Sequence, residues 1–131
     1  MVTTKKVPWY DSKMCKEEKI PEMKREIEKH LFPDGKREPY WISFDIDGLD
    51  KAEFGSTGTP EDGGITIDFM IRFFEAFLPD AVGMDLTEVN FLRAESEEER
   101  EKDMRSIRKI IEKVVKVVNK EDAKARVTSG R

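Results

Sequence analysis

The chain has 131 residues, 37% of them hydrophobic, enough for one domain with a modest core. Charged residues reach 40% while the net charge is only -4, and no basic stretch stands unopposed by acids, which argues against a nucleic-acid partner. No apolar run approaches the ~20 residues of a membrane span, the polar start Met1–Lys6 lacks the apolar stretch of a secretory leader, and the single Cys15 cannot close an internal disulfide, so a reducing, cytoplasmic setting without a membrane partner is expected.

Residues 1 to 19 are polar, with Trp9 and Tyr10 as isolated anchors, and read as an irregular or weakly extended lead-in. No base adjoins Cys15, so it reads as a bystander thiol. Pro21 suits a first helical position, and Ile20, Met23, Ile27 and Leu31 recur at helical spacing until Pro33-Asp34-Gly35 stops the pattern. His30, among lysines and glutamates, reads as a surface residue of this helix.

A strand is expected over Trp41–Asp47, apolar enough to be covered on both faces. A long loop from Gly48 to Gly64 follows, and such loops are functional or disordered. Its glycines make a poor phosphate cradle, because no Gly-Lys-Ser/Thr follows. Thr66 or Asp68 can cap the next helix, whose broad apolar face runs from Phe69 to Leu78 before Pro79. A second strand spans Ala81–Val89. Ser96-x-x-Glu99 is a capping box, and Met104, Ile107, Ile110, Ile111, Val114, Val115 and Val118 define a long last helix. From Lys120 the chain turns polar, and a frayed tail is expected over 120–131.

Two apolar strands joined by a helical crossover lie parallel, and ligands collect beyond the carboxyl ends of such strands. Asp45, Asp47 and Glu88 all fall there. On a regular strand Asp45 and Asp47 point to one face, where two carboxylates repel unless a cation sits between them. Hard divalent ions such as magnesium, calcium or manganese suit such oxygens; a solvated strand end is the plainer alternative. Asp50 reads as a turn residue or an acceptor behind the ligands, and Glu88 has no partner visible by spacing.

Ser43-Phe44-Asp45-Ile46-Asp47-Gly48-Leu49-Asp50, Thr57-Gly58-Thr59-Pro60, Gly63-Gly64-Ile65-Thr66 and Glu88-Val89-Asn90 together resemble the C-terminal signatures of the ureohydrolase family of arginase, agmatinase and formiminoglutamase. Gly48 and the Glu-Val-Asn run look closer to arginase than to agmatinase. The resemblance runs from about Tyr10 to Val118 and implies a three-layer α/β/α sandwich with a parallel sheet, of which this chain is the C-terminal part of a single domain. It implies metal-dependent hydrolysis of a guanidino C–N bond, arginine to ornithine and urea, by a hydroxide bridging two manganese ions. By residue match Asp45 bridges both metals, Asp47 binds one, Glu88 meets the guanidinium and Thr59 lines the substrate pocket. No side chain of this chain is implied as a catalytic base.

The sequence departs from the family pattern at Lys51, near Gly55 and at Phe91, where prolines are usual. The Gly-Gly-Asp-His and Asp-Ala-His-x-Asp stretches that complete the metal site are absent. Two aspartates offer about four oxygens against the roughly twelve positions of two hard ions. The implied partners are therefore a small guanidino substrate and an N-terminal half or intact homologous chain, with room for the trimers or hexamers the family commonly forms. Two alternatives stay open. One is a catalytically inactive arginase-like fragment or interaction subunit. The other is a haloacid-dehalogenase-type phosphohydrolase, whose Asp-x-Asp-Gly motif continues with Thr where Leu49 stands.

Overall fold

The computed structural model describes residues 6–128, with the side chains of 123 and 125–128 left aside. Helix α1 (Ile20–Leu31) starts with Pro21 in its first turn, where the missing N–H costs nothing. It buries Ile20 and Met23 against Phe69, whereas Leu31, the last residue of the expected stripe, is exposed. Phe32, buried, closes the helix, and Gly35 turns the chain in the left-handed region at φ 76°.

Strands β1 (Tyr40–Asp45) and β2 (Ala81–Thr87) pair in parallel, with Ile42 beside Met84, Phe44 beside Leu86 and Asp45 beside Thr87. Tyr40 pairs with Ala81 and Trp41 with Gly83, so Val82 is left unopposed. Both strands stop two residues short of the sequence expectation. They are also covered on one face, not two. Ile42, Phe44, Met84 and Leu86 pack on the main core; Trp41, Ser43 and Asp45 alternate outward. On that outer face Asp85 accepts from Trp41 Nε1 at 2.6 Å and from Ser43 Oγ at 2.8 Å. Of three expected layers, the described residues therefore build the sheet and one helical cover.

Helix α2 (Ile67–Phe77) is capped by Thr66, whose Oγ1 accepts from Phe69 N at 3.1 Å. Glu53 Oε2 accepts from Ile67 N at 2.9 Å, so the preceding loop satisfies a second free amide of the first turn. Six α2 residues are buried, among them Met70 and Phe74, which pack with Ile46, Leu49 and Phe54. Phe74 meets Phe44 edge to face at 5.6 Å between ring centres.

Helix α3 (Glu97–Thr128) opens with Ser96 Oγ accepting from Glu99 N at 3.1 Å. The return bond of the expected capping box goes to a neighbour instead: Glu99 Oε2 accepts from Glu95 N at 2.6 Å. The buried face of α3 is Ile107, Ile110, Val114 and Val117, while Met104, Ile111, Val115 and Val118 are exposed. Four of the seven residues of the expected stripe thus point to solvent. The helix continues past Lys120 to Thr128, where a frayed tail was expected; residues 129–131 of that tail lie outside the described residues.

Candidate functional site

The end of β1 is set by its own aspartate. Asp45 Oδ1 accepts from Asp47 N at 2.9 Å, and Ile46–Gly48 turn as a single 3-10 helix instead of continuing the strand. The reading that Asp45 and Asp47 share one strand face is thereby corrected. They are neighbours because a capped turn folds Asp47 back, and a side chain that caps a nearby amide outcompetes strand geometry. Ile46 between them is fully buried and pins the turn to the core.

The loop from Gly48 to Gly64 then doubles back over the carboxyl edge. It is not featureless: Leu49 bridges to Ile65, Asp50 to Glu61 and Thr57 to Val89. Asp50 is a turn residue, its two oxygens accepting from Ala52 N and Gly63 N at 2.8 Å each. Those two backbone bonds hold its carboxyl below the usual carboxylate range. Phe54, Ser56 and Thr57 are buried, which fixes the loop's middle on the core.

Thr57 Oγ1 donates to the carbonyl of Glu88 at 3.1 Å, and Asn90 N donates to Ser56 O at 2.8 Å. Between those bonds Glu88 takes φ 67°, the left-handed region a residue with a Cβ seldom adopts. Glu88 lies one residue past the end of β2, and its carboxylate approaches Gly58 closely enough that a Cβ there would stand 3.5 Å from Oε2. Thr59 N donates to Asp47 Oδ1 at 3.4 Å, and the Thr59 side chain is exposed beside it. Asp45, Asp47, Thr59 and Glu88 therefore lie at one edge of the sheet, Thr59 on the loop itself, and Asp45, Thr59 and Glu88 are exposed there.

Asp45 Oδ2 and Asp47 Oδ2 receive no hydrogen bond from the described residues and suit a hard divalent ion in kind. In number they fall short: among the described residues no three His, Cys, Asp or Glu side chains group closely enough to hold a metal. Cys15 is half-buried, and its thiol is pushed up by burial and then by Asp11. His30 is half-buried on α1, not on the carboxyl edge.

One residue behind the site left only a faint mark in the sequence. Asp103 of α3 is fully buried, and its Oδ2 accepts from Gly55 N at 3.1 Å and Ser56 N at 2.8 Å. The available signal is an acid in helical register with Ile107, Ile110, Val114 and Val117.

Placed against solved structures, this arrangement is an arginase-like α/β fold. The crystal structure of Helicobacter pylori arginase matches with a TM-score of 0.69 at 18% identity, over 84% of this chain and 36% of that one. In sequence, the agmatinase of Proteus mirabilis is 47% identical over 53 residues, 40% of this chain and 17% of that protein. The hepatic arginase of Aquarana catesbeiana is 39% identical over 66 residues, 49% of this chain and 20% of that protein. The family model for the arginase family matches residues 1–115. The chain belongs to the arginase family. It spans about a sixth to a third of the length of these relatives.

Proposed function

We propose that the chain supplies the carboxyl-edge half of a ureohydrolase site that cleaves a guanidino C–N bond to release urea. The observation that carries this reading is the placement of Asp45, Asp47, Thr59 and Glu88 at the carboxyl edge of the sheet, tied to one another through the 48–64 loop. Asp45 and Asp47 would be the residues of this chain that hold manganese, through the oxygens left open by the capped turn, Asp45 as the shared ligand. The chemistry that bound manganese contributes is a water acidic enough to lose its proton near neutral pH. The remaining ligands come from a segment bearing Gly-Gly-Asp-His and Asp-Ala-His-x-Asp, on an N-terminal half or a homologous chain.

Glu88 accepts from the substrate guanidinium through charge-assisted bonds, and its exposed side chain is held at a left-handed backbone position for that purpose. Strain at a polar, exposed residue is the pattern expected of a residue placed for binding rather than for packing. Thr59, whose amide reaches Asp47, would line the substrate pocket. Arginine fits the Glu-Val-Asn signature, while the agmatinase and guanidinobutyrase names among the relatives favour a guanidino substrate lacking the amino-acid end. The cytoplasmic setting and arginine metabolism complete this reading.

Urea release from arginine, agmatine and 4-guanidinobutyrate, assayed with manganese, tests it. The chain alone is expected to be inactive, and the chain with the complementary N-terminal segment active. Manganese-dependent turnover by the chain alone, or none from any combination, would overturn the proposal.

A further inference from the structure

The 52–59 loop has no proline before Pro60 and contains Gly55 and Gly58, so its own backbone does little to select one conformation. It is nevertheless gripped along its length by the first turns of α3. Lys102 Nζ donates to Ala52 O at 3.1 Å. Glu99, tied to Glu95 N, lies so close over Gly55 that a Cβ there would collide with its carboxylate. At the centre Asp103 accepts from two consecutive loop amides, Gly55 N and Ser56 N.

That central grip is costly. Asp103 occupies the buried face of α3, where an apolar side chain would pack without a desolvation penalty. Asp103 Oδ1 and Ser56 Oγ are buried with no hydrogen-bond partner, and the nearest cation, Lys102 Nζ, stands 3.7 Å from Oδ1. Packing alone gives no reason for an acid here. Its placement does. Immediately beyond the two gripped amides, Ser56 O receives Asn90 N, Thr57 Oγ1 reaches Glu88 O, and Thr59 N reaches Asp47 Oδ1.

We propose that Asp103 is a positioning residue, which sets the Gly55–Thr59 segment from α3 and through it the placement of Glu88, Thr59 and Asp47. This rests on the reading of the carboxyl edge as the ureohydrolase site. Asp103 touches neither substrate nor metal in it; it acts through two backbone amides. Because those amides sit one to four residues from Thr57 and Thr59, a slack grip is transmitted to the site rather than absorbed.

The test is amide hydrogen exchange on the full chain, without metal or substrate, comparing Asp103→Ala and Asp103→Asn. The alanine variant should exchange roughly tenfold or more faster at Gly55 to Thr59 and at Asn90, with α1 and α2 unchanged, because hydrogen bonds to a charged acceptor are the stronger class. Asparagine keeps one acceptor oxygen and should restore most of the protection, leaving a rise of about threefold confined to the same segment. Faster exchange at Gly55 and Ser56 alone, with Thr57, Thr59 and Asn90 unmoved, would overturn the proposal. So would an asparagine variant as fast as the alanine one. Should alanine unfold the chain, asparagine decides: a local rise supports the assignment, and exchange equal to the unsubstituted chain overturns it. A failed urea assay would count against the proposed function and leave the exchange result standing.

Discussion

The sheet and the 48–64 loop invert the usual relation between regularity and burial. The two strands keep a regular parallel register over five pairs from Trp41 to Asp45, yet Trp41 is 58% exposed and Ser43 and Asp45 are exposed with it. The loop has almost no ladder, yet Leu49, Phe54, Ser56 and Thr57 are each 1% exposed or less. Regular hydrogen bonding does not need a buried setting, whereas an irregular backbone taken out of water must find each partner individually. The loop does so through Asp45, Asp50, Glu53 and Asp103, each of which accepts from backbone N–H groups in or beside it. The order of the site comes from these side chains more than from the sheet. The sheet's outer face, by contrast, is left exposed at Trp41, Ser43 and Asp45.

The widest gap between the two regions should appear in their aromatic residues. Phe54→Ala is expected to cost about 3–5 kcal/mol, against less than about 1 kcal/mol for Trp41→Ala, read as urea midpoints at unchanged slope. Equal losses would erase the contrast. Glycines sharpen it. A Cβ on Gly64 would strike the backbone of Leu49 and Asp50, which cannot yield, so Gly64→Ala should destabilise by about 2–3 kcal/mol. A Cβ on Gly83 would meet the Trp41 ring rather than backbone, and that ring can shift by giving up its bond to Asp85, so Gly83→Ala should cost about 1 kcal/mol.

Glu88→Gly should raise stability by about 1 kcal/mol, since glycine takes φ 67° without strain, while abolishing urea release by the completed site. A destabilised glycine variant would show that the left-handed position is not strained. The smallest effect is the loop's response to acid. Asp50's folded pKa lies below its unfolded value, so its contribution is complete above the unfolded pKa, about 3.9, and fades as pH falls through the folded one. The protection of the Ala52 and Gly63 amides relative to intrinsic exchange should therefore hold steady down to about pH 4 and fall below it, and Asp50→Asn should flatten that fall.

Much of the fold was legible because its signals are periodic or local. Ile20, Met23 and Ile27 mark α1, Thr66 marks the start of α2, and the apolar runs mark two strands that pair in parallel as a helical crossover requires. The strand end was not legible, because the Asp45-to-Asp47 cap is one hydrogen bond and leaves the hydrophobic pattern unchanged. The buried face of α3 was misjudged because Ile111, Val115 and Val118 form as good a stripe as Ile110, Val114 and Val117. Periodicity finds an amphipathic helix but cannot choose between adjoining apolar stripes; the sheet's single covered face makes that choice. The four site residues were marked by their motifs and by their place beyond the strands. What gathers them, the loop bonds to Glu88 and Asp47 and the grip of Asp103, joins residues 12 to 48 positions apart and has no local signature.

Manganese content tests most directly whether the carboxyl edge is a metal edge. With the complementary segment supplied, the unsubstituted site should bind about two ions, consistent with hard oxygen ligands at paired metals. Asp45→Ala should lose both, because removing a shared ligand leaves two cations facing each other, whereas Asp47→Ala should retain about one, water filling the vacated position. Full and equal occupancy in both variants would contradict the assignment of Asp45 and Asp47 as ligands.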